Sequence, residues 1–121
     1  MLRIDIQSCN DVATLNCTGR VVFGVEAEML RTMVLLRPEA CVRINLAQVE
    51  QIDASGLGLL VEMQNWARDT RRTLVLLDLS EPVWILVILT KLCGSLEISY
   101  SDVAWDFEGE EDQWGQRKLI A

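Results

Sequence analysis

Val49-Glu50-Gln51-Ile52-Asp53-Ala54-Ser55-Gly56-Leu57-Gly58-Leu59-Leu60-Val61 is the stretch on which the reading of this chain turns. A short apolar strand with polar flanks, residues 42–46, leads into it, and a helix with an apolar stripe leaves it. Between the two lies Asp53-x-Ser55-Gly56-x-Gly58, a turn of small residues that offers one hydroxyl at a predicted helix start. Asp, Ser and Gly suit a helix N-terminus, because side-chain oxygens accept the orphan N–H groups of the first turn. Small residues also leave the turn open to a partner. It is the candidate functional site.

On the N-terminal side, residues 2–7 alternate apolar and polar and read as an edge strand. Residues 12–18 set Ala13, Leu15 and Cys17 against Thr14, Asn16 and Thr18, a second strand, with Asn10-Asp11 as the turn of a hairpin that Gly19 closes. Over residues 24–37, Val25, Met29, Met33 and Leu36 fall at helical spacing, and Pro38 stops the helix. A methionine-bearing stripe of this kind reads as core packing. Residues 41–47 form a central strand.

On the C-terminal side, the helix over residues 56–68 puts Leu59, Leu60, Met63 and Ala67 on one side and Gly58, Glu62, Asn65 and Asp69 on the other. Leu57 starts it away from the main stripe, as a candidate partner contact. Residues 73–79 are a further apolar strand. Ser80-Glu81-Pro82 then caps a helix over residues 82–92 that is apolar nearly all round. Residues 96–100 are a last strand, and residues 102–121 are acidic with Trp105, Phe107 and Trp114, an expected amphipathic helix that frays. The order is β-β-α-β-α-β-α-β-α. Strands separated by helices pair in parallel through crossovers, so the class is α/β.

At 121 residues, half of them hydrophobic, the chain is expected to be one domain with a single core. A net charge of −7 with scattered basic residues argues against sequence-independent nucleic-acid binding, which needs clustered Lys and Arg. Cys9, Cys17, Cys41 and Cys93 include no C-x-x-C pair, so zinc is not expected and reduced, buried thiols are. The N-terminus carries charges where a signal peptide is apolar, and the run over residues 83–89 is too short to span a bilayer. The reading is a cytoplasmic protein without membrane insertion. The chain has no histidine, which excludes a Ser-His-Asp triad, a histidine base and a histidine-ligated metal. It also lacks a Walker loop and a G-x-S-x-G elbow. The expectation is therefore no enzyme, no metal and no cofactor.

With strand, D-x-S-G-L-G turn and helix in place, the chain resembles the STAS family, the domain of sulfate transporters and anti-sigma factor antagonists. The resemblance rests on Ile44-Asn45-Leu46-Ala47-Gln48-Val49 followed by Ile52-Asp53-Ala54-Ser55-Gly56-Leu57-Gly58, then on Leu89-Thr90-Lys91-Leu92 followed by Leu96-Glu97-Ile98. It covers residues 2–105, leaving 106–121 as an acidic helix or frayed tail, and the central motif is its most specific part. The resemblance implies a four- to five-stranded mixed sheet with the helices mainly on one side. It further implies a bacterial regulatory module of the antagonist branch, which binds an anti-sigma factor that is also a serine kinase. That kinase phosphorylates the serine before G-L-G, here Ser55, and a separate phosphatase resets the switch. Asp53, Ala54, Gly56, Leu57 and Gly58 would form the partner-binding motif around it. Asp53 has two readings, helix cap or helper of a phosphate-transfer metal from the partner, of which the cap is preferred. Ser55 likewise reads either as a capping serine or as the phosphoacceptor.

The chain departs from the family pattern in four places. Ala54 stands where many relatives carry a second hydroxyl. Gly19-Arg20-Val21-Val22 lacks the partner-facing Asp of a usual Gly-x-Leu-Asp. Lys91 replaces a helix-ending glycine. Trp84, Ile85 and Ile88 occupy positions that are usually charged. The last three read either as a core face covered by the Trp105/Phe107 segment or as an apolar interface for a partner or a second copy in a homodimer. The rival function is an accessory STAS subunit of a membrane lipid-transport complex, or a scaffold in which Ser55 is not modified.

Overall fold

Asn10 and Asp11 both take left-handed backbone conformations, with φ of 50° and 64°, as a two-residue hairpin turn requires. The computed structural model describes residues 2–100. Across that turn β1 (Leu2–Cys9) pairs antiparallel with β2 (Val12–Val21). Then follow α1 (Val25–Leu35), β3 (Cys41–Ile52), α2 (Ala54–Asp69), β4 (Thr73–Leu77), α3 (Glu81–Leu89) and the short β5 (Ile98–Ser99). The five strands lie in sequence order, parallel from β2 onward, so the sheet is mixed as expected. The expected helix over residues 102–121 lies outside the described residues.

Each parallel crossover steps in the same direction across the sheet. Such crossovers are right-handed almost without exception, so α1, α2 and α3 share one face. The side chains agree. Ala13, Leu15 and Cys17 on β2, Val42, Ile44 and Leu46 on β3, and Leu74 and Leu76 on β4 are at most 1 % exposed. The alternate positions on β2 and in the first half of β3 are polar, and there Arg43 donates from Nε and a terminal nitrogen to the Thr14 hydroxyl at 3.2 and 3.0 Å. Burial pushes the Cys17 thiol up to about 12, which leaves it inert. Cys9 is exposed and Cys41 half-buried, so the expectation of buried cysteines fails at both.

Two helices rotate or extend against expectation. In α1 the buried residues are Leu30 and Val34, while Val25 and Leu36 are 80 % and 74 % exposed. The helix is apolar on more than one face, and the sheet takes the Ala27–Leu30–Val34 stripe. In α2 the helix starts at Ala54, and its buried arc includes Gly56, Leu57 and Gln64 beside the expected Leu59, Leu60, Met63 and Ala67. β3 runs five residues beyond the expected end, because the far half of β2 pairs with it from Thr18↔Gln48 to Val21↔Ile52, after one register shift and across a second between Gly19 and Arg20.

α2 and α3 end alike. Arg72 N–H reaches the Ala67 carbonyl at 2.8 Å and Leu92 N–H the Val87 carbonyl at 3.2 Å, each after a left-handed residue, Arg71 or Lys91, at φ 60°. Glycine is at ease in that conformation and lysine is strained. Lys91→Gly is therefore expected to raise stability by about 1 kcal/mol, read as a higher urea midpoint with an unchanged slope.

The foot of the sheet is tied by Glu39, which is 6 % exposed. The Ser8 hydroxyl donates to its Oε2 at 2.6 Å and Arg37 donates to both carboxylate oxygens at 3.1 and 3.3 Å. The Ser8 bond and then the Arg37 bonds hold its carboxyl below the usual range. A depressed folded pKa stabilises above the unfolded value, and that contribution disappears as pH falls through the folded one. The stability gap between wild type and Glu39→Gln should be present at neutral pH and narrow in acid, as thermal melts across pH will read.

Candidate functional site

At the C-terminal end of β3 the chain turns directly into α2, and Asp53 makes the turn. Its backbone is extended, its Oδ1 accepts from Gly56 N–H at 2.8 Å, and its carbonyl accepts Leu57 N–H at 3.0 Å. It is the N-cap. Its other oxygen, Oδ2, accepts from Phe23 N–H at 3.0 Å, in the loop between β2 and α1. Those N–H groups, Phe23 first and then Gly56 and Ser55, hold the Asp53 carboxyl below the usual range.

Because Asp53 caps the helix, Ser55 does not. Ser55 is the second helical residue, exposed, and its hydroxyl makes no hydrogen bond among the described residues. Ala54 beside it is exposed and contributes no hydroxyl. Leu57 is 3 % exposed and belongs to the core, so it is not available as a partner contact. The helical spacing of Leu57, Leu60, Gln64 and Ala67 makes a second buried stripe that broadens the first.

The two glycines of the motif do different things. A Cβ on Gly56 would sit 2.2 Å from the Val21 carbonyl oxygen and 2.9 Å from the Ile52 side chain, so the helix start fits against β2 only without one. A Cβ on Gly58 would meet nothing within 4 Å. Gly58 is exposed and lines a groove of about 990 Å³ between α1 and α2.

That groove is the feature that sequence reasoning missed. Phe23, Val25, Met29 and Met33 form one side, and Ser55, Gly58, Leu59 and Glu62 the other. Phe23 and Val25, at 79 % and 80 % exposed, are the most exposed large apolar side chains among the described residues. Arg31 spans the groove, pairing with Glu62 of α2 and, at 3.9 Å, with Glu28 of its own helix. The pair Phe23-Gly24-Val25 carried the signal in sequence, because apolar residues flanking a glycine before a helix need not face the core. At the apolar trio expected as a core face or an interface, Val83 and Val87 bury one face of α3, and Ile85 and Ile88 are each 48 % exposed. Trp84 is half-buried, its ring edge-on to Tyr100 at 6.4 Å. Trp84, Ile85 and Ile88 thus lie on a different element from the Ser55 groove. No group of histidine, cysteine or acidic side chains among the described residues could hold a metal ion.

The family profile of the STAS domain matches residues 3–103. The chain belongs to the STAS domain family. Its fold is shared with solved structures at low sequence identity. A proposed anti-sigma factor antagonist from Thermotoga maritima superposes with a TM-score of 0.72 at 21 % identity, covering 87 % of this STAS chain and 92 % of that one. The anti-sigma factor antagonist SpoIIAA, in its unphosphorylated form, gives 0.65 at 15 % identity over 86 % and 94 % of the two chains. The Bacillus cell fate determinant SpoIIAA in its phosphorylated form gives 0.62 at 15 % identity over 86 % and 97 %. No curated protein matches the chain in sequence. Among the described residues no helix is long and apolar enough to cross a membrane.

Two substitutions separate the roles of the glycines. Gly56→Ala should destabilise by about 3 kcal/mol or more, since backbone must move to admit the methyl group. Gly58→Ala should stabilise by about 0.5–1 kcal/mol, the helix-propensity difference alone. Chemical unfolding of both variants reads the contrast.

Proposed function

We propose that this STAS domain is a bacterial, cytoplasmic anti-sigma factor antagonist that binds an anti-sigma factor with serine-kinase activity and is switched off by phosphorylation of Ser55. The observation that carries this reading is the free, exposed Ser55 hydroxyl at the mouth of the α1–α2 groove, released from capping by Asp53. A serine committed to the N-cap would have to give up a backbone N–H to be modified. Ser55 does not.

The partner seats on Ser55, Gly58, Phe23 and Val25. Phe23 and Val25 supply apolar contact in a loop that lacks the family's usual aspartate. A phosphate on Ser55 adds about −1.5 to −2 charges beside Asp53, on a rim where Glu28 and Glu62 outnumber the single Arg31 that pairs with both. The first-turn N–H of Gly56 is already taken by Asp53, so the helix start offers that phosphate its dipole and little direct hydrogen bonding. The added charge acts on the docked partner by desolvation and repulsion, and the fold is left intact. The domain is a substrate and binder in this scheme; a phosphatase restores it, and it needs neither metal nor cofactor of its own.

A second reading, an accessory subunit of a membrane lipid-transport complex or a non-phosphorylated scaffold, with a homodimer through α3 as one form of it, is favoured by one observation. Ile85 and Ile88 are half exposed and Leu89 is 72 % exposed on α3, away from Ser55. Sedimentation over a range of concentrations tests the homodimer, for which a strict monomer is fatal.

The deciding experiment incubates the chain with ATP and a kinase-type anti-sigma factor from the same source and reads intact mass. One added phosphate on wild type and none on Ser55→Ala is expected. No phosphate on wild type, with the kinase active on another antagonist, rejects the switch. Phe23→Ser should weaken capture of the unphosphorylated domain by about tenfold or more, as for a truncated interface anchor.

A further inference from the structure

At the end of α2 opposite Ser55, about 20 Å along the helix, lies a second and chemically different cavity. It measures about 430 Å³ and is lined by Gln64, Arg68, Arg72, Thr73, Ser95 and Glu97, with Gly94 at its edge. Arg3, Arg20, Arg31 and Arg37 each pair with a carboxylate. Arg68, Arg71 and Arg72, clustered within five residues, pair with none among the described residues. In a chain of 18 acidic and 11 basic residues, that concentration of unneutralised charge is against the composition.

The site is also held in place. Arg72 stacks on Trp66, 5.3 Å from the ring centroid, and one terminal nitrogen donates to the Arg37 carbonyl at 2.6 Å. The other N–H groups of its guanidinium have no hydrogen-bond partner among the described residues. Arg68 is steadied by Asn65 at 3.0 Å. The floor is the buried Gln64 amide, which donates to the Leu74 carbonyl and accepts Glu97 N–H, both at 3.1 Å, locking β4 to the segment before β5. Two oriented guanidinium groups with the hydroxyls of Thr73 and Ser95 are donors to a multiply charged oxyanion, because each planar fork grips a pair of phosphate oxygens.

We propose that this cavity binds a small phosphate-bearing anion of diphosphate size, gripped by Arg68 and Arg72, with Glu97 opposing it. A carboxylate satisfies one fork, whereas a diphosphate satisfies both, and the cavity has room for it. The site lies apart from Ser55 and does not depend on the antagonist reading.

The test is a titration of the ¹⁵N-labelled full chain with inorganic diphosphate at low salt, followed by NMR. Saturable shifts centred on the amides of Thr73, Gly94 and Ser95 are expected. Arg68→Gln should weaken binding by about tenfold, the worth of one charge-assisted contact. Arg68 is exposed, so that variant tests the grip without disturbing the core, whereas Arg72→Gln also loses the Trp66 stack. Glu97→Gln should tighten binding and Ser55→Ala leave it unchanged. Non-saturating shifts spread over all arginines, an unaltered affinity in Arg68→Gln, or citrate binding as tightly as diphosphate overturns the assignment.

Discussion

One carboxylate holds the Ser55 end of this domain together. Asp53 uses one oxygen to cap α2 and the other to anchor Phe23 N–H in the β2–α1 loop. The two bonds draw the loop and the helix start to a common point, and Gly56 lets them meet there, since its α-carbon lies too near the Val21 carbonyl for any side chain. Everything presented at that end follows. The Ser55 hydroxyl is spared from capping, Phe23 is fixed facing solvent, and the walls of the groove are set at their spacing by α1 and α2. Hydrogen bonds to a charged acceptor contribute about 1.5–3 kcal/mol each when shielded, and less at the solvent-exposed Phe23 N–H.

What was legible in sequence was whatever local spacing decides. The Asn10-Asp11 turn, the alternation of β1 and β2, the breaker at Pro38 and the strand-to-helix turn at D-x-S-G each act within a few residues, and each is found, with α2 starting two residues before its expected first residue. What was illegible depends on partners far along the chain. α1 carries apolar residues on several faces, so periodicity offered Val25, Met29, Met33 and Leu36 as readily as Leu30 and Val34, and only the sheet selects between them. Leu57 looked free because its stripe is completed by Gln64, a polar residue buried for its two hydrogen bonds. β3 is longer than its apolar run because β2 extends with it, a pairing that no single segment reveals. The groove and the arginine-lined cavity are products of packing and have no linear signature.

The departures from the family pattern now divide by physical kind. Lys91 is a local cost, a side chain in a conformation that glycine holds freely, and the fold tolerates it because the closing hydrogen bonds of the helix end are still made. The loss of an aspartate before Phe23 is a change of surface chemistry. Phe23 and Val25 give that surface an apolar character, which under the proposed reading calls for an apolar pocket on the partner and not a cation.

α2 is the strut between two ends of opposite character. Its N-terminal end is capped by Asp53, which takes the Gly56 N–H, and opens onto a groove where Glu28 and Glu62 share the single cation Arg31; under the proposed switch, added negative charge there would be unwelcome to a docked partner although the helix dipole tolerates it. Its C-terminal end carries Arg68 in the last turn, where a cation complements the dipole, and the left-handed Arg71 swings the chain back so that Arg72 lies over Trp66. The backbone geometry that ends the helix is thus the same geometry that orients the cavity's second guanidinium. A change at Arg71 that relaxed the turn would be felt by Arg72 before it was felt by the core, because Leu60, Met63 and Ala67 are fixed by the sheet beneath them and not by the helix terminus.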